Sequence, residues 1–293
     1  MTEASVPLVS VVTPIFNGEK FLEKAVQSCL SQTYPHVEVI LVDDGSSDGS
    51  RALAERLAAA QASVRCQHHE KNQGVSAAWN TGFSAAKGAL LLRLAQDDYL
   101  VPDAVEKLVA PARRHPEAGA VYSDCWIVSA DGERERAHTP LPHELFRSSN
   151  RTGLCVMLTA QAWNHGVRYN PEYRAAEDLD FFTRLREQGV EFVKYEGEPL
   201  LNILLHADSG TNRMSVRQEL ETARIIRRSK LMDAATKRRL LAKNYTNAVY
   251  ILRQQNNRAE ALAVCKEGIR HAPFCGKLWT QAISLLLTRA TSG

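Results

Sequence analysis

Two patterns of hydrophobic positions alternate along the first part of the chain. Continuous apolar runs, typical of strands buried on both faces of a sheet, lie at residues 8–13, 37–42 and 89–94, and a short strand is predicted at residues 64–68. Apolar residues with helical spacing lie at residues 19–31, 51–60, 75–86 and 102–115. The last of these ranges begins with Pro102, and proline is favoured in the first turn of a helix. This strand–helix alternation predicts an α/β fold with a mostly parallel, doubly wound sheet.

The remainder of the chain is less regular and then becomes helical. A helix is predicted at 178–187, and strands are predicted at residues 122–128, 153–158, 191–195 and 200–205. A polar stretch with Pro140 and Pro142 is predicted to be a substrate-facing loop. From Ser215 onward the apolar spacing is helical, which predicts a C-terminal helical appendage.

Pairs of aspartates follow two of the predicted strands. Asp43 and Asp44 end one strand, and Asp97 and Asp98 follow another. Ligands of open α/β sheets bind outside the carboxyl ends of the strands, so we expect both pairs at one rim. Asp97 and Asp98 repel each other unless a cation or hydrogen-bond donors offset the repulsion, and a hard divalent ion such as Mg²⁺ or Mn²⁺ would do so. The alternative is a solvated acidic pair ahead of the next helix.

A candidate general base lies in the stretch AEDLDFFTRL. If this stretch is a helix, Asp178 shares one face with Phe181 and Phe182. A carboxylate on an apolar face points into a cleft, where burial raises its pKa and makes it a stronger base. The alternative is an acidic residue that the helix dipole favours. Asp180 and Arg184 are predicted to form an ordinary i,i+4 surface pair.

Composition and charge narrow the classes of function. Of 293 residues, 44% are hydrophobic and 24% are charged, and the net charge is +3. So small a positive excess argues against a nucleic-acid partner. The six cysteines have no metal-site spacing and are expected to be reduced core thiols. Because the sequence shows no signal peptide and no membrane span, we expect a cytoplasmic protein, with peripheral contact at the inner membrane face as the alternative.

The ordered motifs resemble those of family 2 glycosyltransferases. The resemblance rests on VSVVTPIFNG, VEVILVDDGSSDGS, NQGVSAAWNTGFSAAKG, LAQDDYLVPD and AAEDLDFFTRL, and it covers about residues 8–210. It implies the GT-A fold and an inverting, non-processive transferase that uses a nucleotide-sugar donor, preferably a UDP-sugar, and a divalent metal, Mn²⁺ or Mg²⁺. It also implies a transferase domain at 1–214, with a nucleotide-binding half at about 1–120 and an acceptor half at about 121–214. Residues 215–293 then form the helical region.

The resemblance assigns donor binding to four residues. Asp44 would hold the base and ribose, and Asp97 would contact the donor sugar or the ribose. Phe16, with Pro14 on the same loop, would pack against the base. From the residues alone, an Asx turn at Asp44 and a rigid turn with a core aromatic remain alternatives.

The resemblance also assigns the metal to Asp98 and His206, and the general base to Asp178. A lone histidine is as often structural, and that alternative stays open for His206. Lys71 or Arg213 is expected to help neutralise the leaving diphosphate, and the sequence does not choose between them.

Two hypotheses of function follow. The first is sugar transfer to a saccharide or lipid-linked saccharide acceptor in cell-surface polysaccharide or glycolipid synthesis. The sequence QxxRW, typical of processive relatives, is absent from the chain, which favours single-sugar addition. The second hypothesis is a non-catalytic binding or scaffold protein on the same fold. It is suggested by the helical tail and by Ala95, which stands where the commonest family pattern has an aspartate. A nucleotidyltransferase is disfavoured because no glycine-rich, basic phosphate loop follows the first strand.

The helical region itself suggests two kinds of partner. The stretch NRAEALAVCKEGIRHAPFCGKLW resembles a tetratricopeptide-type hairpin that would bind a protein, and a helical cap on the catalytic domain is the simpler alternative. Basic residues between Arg224 and Lys243 would contact anionic lipid or form a solvated helix face.

Overall fold

A computed structural model describes residues 6–138, 155–206 and 215–287. The strands of this part of the chain are β1 (Val9–Ile15), β2 (Val37–Asp43), β3 (Val64–His68), β4 (Leu90–Arg93), β5 (Tyr99–Leu100), β6 (Ala120–Ser123), β7 (Cys125–Val128), β8 (Arg134–Ala137), β9 (Cys155–Thr159), β10 (Phe192–Lys194) and β11 (Leu201–Leu204). The helices are α1 (Glu19–Leu30), α2 (Ser50–Ala60), α3 (Val75–Ala85), α4 (Ala104–Arg114), α5 (Ala160–Asn164), α6 (Glu177–Glu187), α7 (Val216–Arg228), α8 (Ala234–Gln254), α9 (Arg258–His271) and α10 (Gly276–Leu287). The predicted loop with Pro140 and Pro142 lies outside the described residues, as does Arg213.

A seven-stranded sheet forms the centre of the described fold, in the order β10–β6–β9–β4–β1–β2–β3. β9 is antiparallel to its neighbours β4 and β6, and the other pairings are parallel. β1 is buried along its whole length and β2 along nearly all of it, as their continuous apolar runs predicted. The predicted mostly parallel α/β sheet is confirmed.

The strand order creates a crevice beside β1. The chain passes from β1 to β2 and β3 on one side of the sheet, and then returns to place β4 on the other side of β1. Such a reversal of strand order opens a crevice at the carboxyl ends of the strands. One hydrophobic core, which includes residues of α1, α2 and α4, packs on one face of the sheet. A second core, with residues of α3, α5 and α6, packs on the other.

A smaller sheet, in the order β5–β11–β7–β8, corrects one prediction. The single strand predicted at 122–128 is wrong, because β6 and β7 belong to different sheets. Asp124 lies between them with 2% of its surface exposed, and it forms ion pairs with Arg136 and Lys194. A buried, paired carboxylate at this point fixes the place where the chain leaves one sheet for the other.

The C-terminal helices pack around a third hydrophobic cluster, as their apolar spacing predicted. This cluster also contains Tyr173 and Ala176, which precede α6. The helical region therefore shares a core with a segment of the sheet-containing part. The domain boundary near residue 214 stays a prediction.

The predicted surface pair between Asp180 and Arg184 is wrong in one respect. Asp180 pairs with Arg184, but its side chain is fully buried and it also forms an ion pair with Arg228 of α7. The sequence could not show this, because the second arginine arrives from a distant helix.

The predicted core thiols are found at four of the six cysteines. All six cysteines are thiols rather than disulfides; Cys29, Cys125, Cys155 and Cys265 are buried, and Cys66 and Cys275 are partly buried. Within the residues that the structure describes, no helix combines the length and the apolar character needed to cross a membrane.

Candidate active site

The loops that follow β1, β2 and β4 are joined at the carboxyl ends of these strands. Oδ1 of Asn17 accepts a hydrogen bond from Ser47 N (2.8 Å), and Ser46 Oγ accepts one from Asn17 N (3.0 Å). On the other side, Gln96 Oε1 accepts from Phe16 N (2.9 Å), and Gln96 Nε2 donates to Phe16 O (3.1 Å). The three loops therefore form one rim, and both acidic pairs lie on it.

Phe16 and Pro14 occupy different environments. The side chain of Phe16 is 46% exposed at the rim, while Gln96 holds its backbone, an arrangement that suits stacking on a flat base. Pro14 is a buried residue of β1 paired with Val42, so its predicted position on the loop is wrong. Pairing between β1 and β4 ends at Val12, so the missing N–H of Pro14 removes no ladder hydrogen bond on that side.

Asp44 is 2% exposed and orders the loop that follows β3. Its Oδ1 lies 2.6 Å from His69 Nδ1 and accepts a hydrogen bond from Gln73 N (2.9 Å). Its Oδ2 accepts one from Gly74 N (2.8 Å). A carboxylate oxygen has two lone pairs, so among these contacts Oδ2 can still accept one hydrogen bond from a ligand.

Asp97, Asp98 and His206 come together after β4 and β11. Nε2 of His206 lies 3.0 Å from Oδ2 of Asp97, and the ring of Phe21 stacks on the imidazole at 4.3 Å. Oδ1 of Asp98 accepts a hydrogen bond from Leu204 N (3.3 Å). Burial and the negative charge of Asp97 raise the pKa of Asp98 well above its usual value.

These carboxyl groups fit a metal that takes its other ligands from a nucleotide. No group of three or more metal-binding side chains is preformed in the described residues. Mg²⁺ and Mn²⁺ prefer oxygen ligands, and Mg²⁺ is commonly held by one or two carboxylates together with substrate phosphates. A cation beside Asp98 would also relieve its repulsion with Asp97.

Asp178 lies in the first turn of α6, opposite Arg93 at the end of β4. Nη2 of Arg93 is 2.8 Å from Oδ1 of Asp178, and these side chains are 11% and 28% exposed. The guanidinium carbon of Arg93 also lies 4.7 Å from the ring centroid of Trp79. Burial and the neighbouring Asp178 raise the pKa of Glu177 to about 8, so Glu177 keeps its proton at neutral pH.

Cations near the rim include one that the sequence did not suggest. Lys71 lies on the loop after β3, where its backbone packs against Gly45. Arg174 is exposed and precedes α6, and its guanidinium carbon lies 3.8 Å from the position that a Cβ atom on Gly74 would occupy. No spacing marks Arg174 in the sequence, because its neighbours at the rim come from other elements.

Arg93 and Gln96 were also missed, and only Arg93 carried a signal. It interrupts the apolar run ALLLRL, and an arginine in a buried strand needs a partner. Gln96 is one polar loop residue among several, and only the folded rim shows that it binds both backbone groups of Phe16.

Similar proteins identify the family. Residues 10–169 match the family described as Glycosyl transferase family 2. A hyaluronan synthase of Pasteurella multocida is 31% identical over 216 residues, which cover 70% of this chain and 21% of that protein. A chondroitin synthase of Escherichia coli is 30% identical over 216 residues, which cover 70% of this chain and 30% of that protein. The chain thus spans less than a third of the length of these relatives.

Solved structures show the same fold. S. aureus TarS 1–349 in complex with UDP-GlcNAc aligns with a TM-score of 0.68 at 15% identity, over 95% of this chain and 89% of that one. The mannosyltransferase PcManGT of Pyrobaculum calidifontis, in complex with GDP-Man and Mn²⁺, aligns with a TM-score of 0.62 at 16% identity, over 97% of this chain and 88% of that one. These alignments establish the GT-A fold with its C-terminal helices. Because the family match covers more than half of the chain, this protein belongs to glycosyl transferase family 2.

Proposed function

We propose that this chain is a metal-dependent, inverting glycosyltransferase. It moves a sugar from a nucleotide-diphosphate donor, preferably a UDP-sugar, to a hydroxyl of a saccharide or lipid-linked saccharide, in cell-surface polysaccharide or glycolipid synthesis. The observation that carries the proposal is the pairing of Asp178 with Arg93 at the end of β4, the strand that also leads to Asp98. The UDP-GlcNAc complex of TarS and the names of the two synthase relatives support the donor and polymer classes.

Donor binding uses the rim formed by the loops after β1, β2 and β4. Phe16 stacks on the base, and the remaining lone pair of Asp44 Oδ2 accepts an N–H or a hydroxyl from the nucleoside. Asp97 contacts the ribose or the donor sugar, with its Oδ2 oriented by His206. Lys71 and Arg213 stay the candidates for neutralising the diphosphate.

Asp98 would hold the divalent metal. When bound, the metal neutralises the charge of the leaving diphosphate. Asp98 suits this role because it is a carboxyl whose charged form is disfavoured until a cation is supplied. His206 stays the second predicted ligand of the metal, and its contact with Asp97 would orient that carboxylate.

Asp178 acts as the general base. It takes the proton from the acceptor hydroxyl as the oxygen attacks the anomeric carbon, and a positioned base of this kind contributes ~10² to 10⁴-fold. Arg93 contacts Oδ1 of Asp178 and so orients the carboxylate that accepts the proton. Glu177, neutral at pH 7, adds no second negative charge beside the base.

Calorimetric titration tests the donor and the metal together. UDP, GDP and their sugars are titrated with Mn²⁺ and then with EDTA. We expect one nucleotide to bind only with metal, and binding to disappear in Asp98→Ala. Asp178→Asn is expected to bind the same nucleotide with unchanged affinity and to lose turnover of its sugar. Normal turnover by Asp178→Asn would contradict the assignment of the base.

The second candidate is a non-catalytic scaffold that acts through its helical tail. Ala95, where family members commonly have an aspartate, favours it. Failure of every nucleotide to bind would shift the assignment to this candidate. Membrane contact through the basic residues of α7 and α8 stays a prediction for either candidate.

A further inference from the structure

A carboxylate of the helical region binds the backbone that leads into α6. Glu221 of α7 is 8% exposed, and its oxygens accept hydrogen bonds from three consecutive backbone N–H groups. The donors are Arg174 N (3.2 Å to Oε1 and 3.1 Å to Oε2), Ala175 N (2.8 Å to Oε2) and Ala176 N (3.0 Å to Oε2). Glu177 and Asp178 follow directly, so the helix that carries Asp178 starts from a segment that Glu221 holds.

The same segment is fixed on its other side by the sheet-containing part. The Tyr173 carbonyl accepts a hydrogen bond from Ser76 Oγ of α3 (3.1 Å). The ring of Tyr173 is 2% exposed and lies in the hydrophobic cluster of the C-terminal helices. The guanidinium of Arg228 stands 5.2 Å from this ring centroid. The segment 173–176 is therefore held between α3 and α7.

α7 and the residues after it contact α6 at two further points. Arg228 forms an ion pair with the fully buried Asp180, two residues after Asp178. The backbone N–H of Lys230 donates to Glu187 Oε1 at the end of α6 (2.7 Å). Contacts before, within and after the helix restrict its rotation and translation, and these motions would carry Asp178 away from Arg93.

We propose that Glu221 is a positioning residue for the general base, and that the helical region is part of the catalytic unit. This inference rests on the proposed role of Asp178. A base acts only within hydrogen-bond reach of its proton, and a displacement of about 1 Å can cost about 10²-fold in rate. The described contacts of Glu221 lie at 174–176, away from the loops after β1 and β2. Its loss is therefore expected to lower turnover while nucleotide affinity is kept.

Glu221→Ala tests the proposal, and Glu267→Gln is the matched control. Glu267 accepts a hydrogen bond from Tyr245 and pairs with Arg227, so its described polar contacts stay within the helical region. Glu221→Gln keeps one carbonyl oxygen that can accept from two N–H groups, and should restore part of the lost function. It also serves as the test variant if Glu221→Ala fails to fold.

Two readouts separate positioning from general stability. The first is hydrogen–deuterium exchange of the peptide that contains 174–182, which needs no substrate. The second is kcat and KM for whichever of the UDP- and GDP-sugars the wild type turns over fastest, with Asp178→Asn measured alongside. We expect Glu221→Ala to exchange faster at 174–176, and kcat to fall at least about tenfold at an unchanged KM for the nucleotide sugar. Glu221→Gln should lie between Glu221→Ala and the wild type, and Glu267→Gln should match the wild type.

The possible failures are distinguishable. If Asp178→Asn is inactive while Glu221→Ala keeps the wild-type kcat or the wild-type exchange, the positioning role is wrong and the proposed function stands. The positioning role is also wrong if Glu267→Gln reproduces the effects of Glu221→Ala. If Asp178→Asn turns over normally, or if the wild type turns over no sugar, the proposed function itself is wrong.

Discussion

Nη2 of Arg93 lies 2.8 Å from Oδ1 of Asp178, and this pair joins the end of β4 to the first turn of α6. Both side chains are largely shielded from water, where a charge that loses its partner is costly. The guanidinium is also fixed against the ring of Trp79. The position of Asp178 thus depends on a residue that comes from the strand next to β1.

We expect Arg93→Met to lower kcat about 10²-fold, because Asp178 loses the group that orients it. Nucleotide affinity should change little, since Arg93 is not among the residues that tie the rim loops together. The free energy of unfolding should fall by about 1–3 kcal/mol, because a partly buried carboxylate loses its partner. Steady-state kinetics and urea unfolding measure these effects. Arg93→Lys keeps the charge but not the planar geometry, so its kcat should lie between those of the wild type and Arg93→Met. A wild-type kcat in Arg93→Met would show that Arg93 has a structural role only.

The raised pKa of Glu177 predicts a pH-dependent stability. In the unfolded chain Glu177 ionises near its usual pKa of 4.5, whereas in the folded protein its pKa is about 8. The folded state therefore binds this proton more tightly. The stability that this proton contributes is fully present below about pH 4.5 and is lost as the pH rises through about 8.

Glu177→Gln, which imitates the protonated form, should lack this loss. Its free energy of unfolding relative to the wild type should increase between about pH 5 and pH 8 and then level off. Urea unfolding at about pH 5, 7 and 9 measures the difference. A constant difference across this range would show that Glu177 is ionised in the folded state at neutral pH.

Most of the sheet was predictable because its strands are buried on both faces. A strand such as β1 must be apolar along its whole length, and that run is visible in the sequence. β5 and β8 were missed because they are short and lie in the smaller sheet, where pairing rather than hydrophobicity defines them. The division between β6 and β7 depends on ion pairs of Asp124 with Arg136 and Lys194, which are distant in sequence.

The candidate site was predictable where local chemistry marks a residue. Adjacent aspartates after a strand and an acidic residue on an apolar helix face are such marks, and they led to Asp98 and Asp178. Glu221 acts through contacts between elements far apart along the chain, and no local pattern reveals it. The role of Asp44 is a mixed case, because its turn position was visible and its partners His69, Gln73 and Gly74 were not.

The turn after β2 should tolerate no side chain at Gly45. Its φ is +72°, and a Cβ there would lie 2.7 Å from the backbone N of Asn72. We expect Gly45→Ala to lose about 1–2 kcal/mol from the left-handed backbone and about 1–3 kcal/mol more from overlap. It should also weaken nucleotide binding, because the loop that Asp44 orders is displaced.

Gly132→Ala is the matched control, since φ is +86° there and nothing lies within 4 Å. Equal losses of stability in urea unfolding would contradict the close approach at Gly45.

Asp98 is expected to reduce the stability of the metal-free protein. Burial and Asp97 raise its pKa well above the usual value, so at about pH 8, where the unfolded chain ionises this group, its charge costs free energy in the folded state. Asp98→Asn removes that charge, and its amide oxygen can still accept the hydrogen bond from Leu204 N. In EDTA at this pH the variant should therefore unfold at a higher temperature than the wild type.

With Mn²⁺ and UDP at about 100 times their Kd, the wild type should gain about 2.7 kcal/mol and the variant should gain none. Thermal unfolding in EDTA, and again with Mn²⁺ and UDP, measures both differences in stability. A variant less stable than the wild type in EDTA would instead show that the Asp98 carboxylate stabilises the fold.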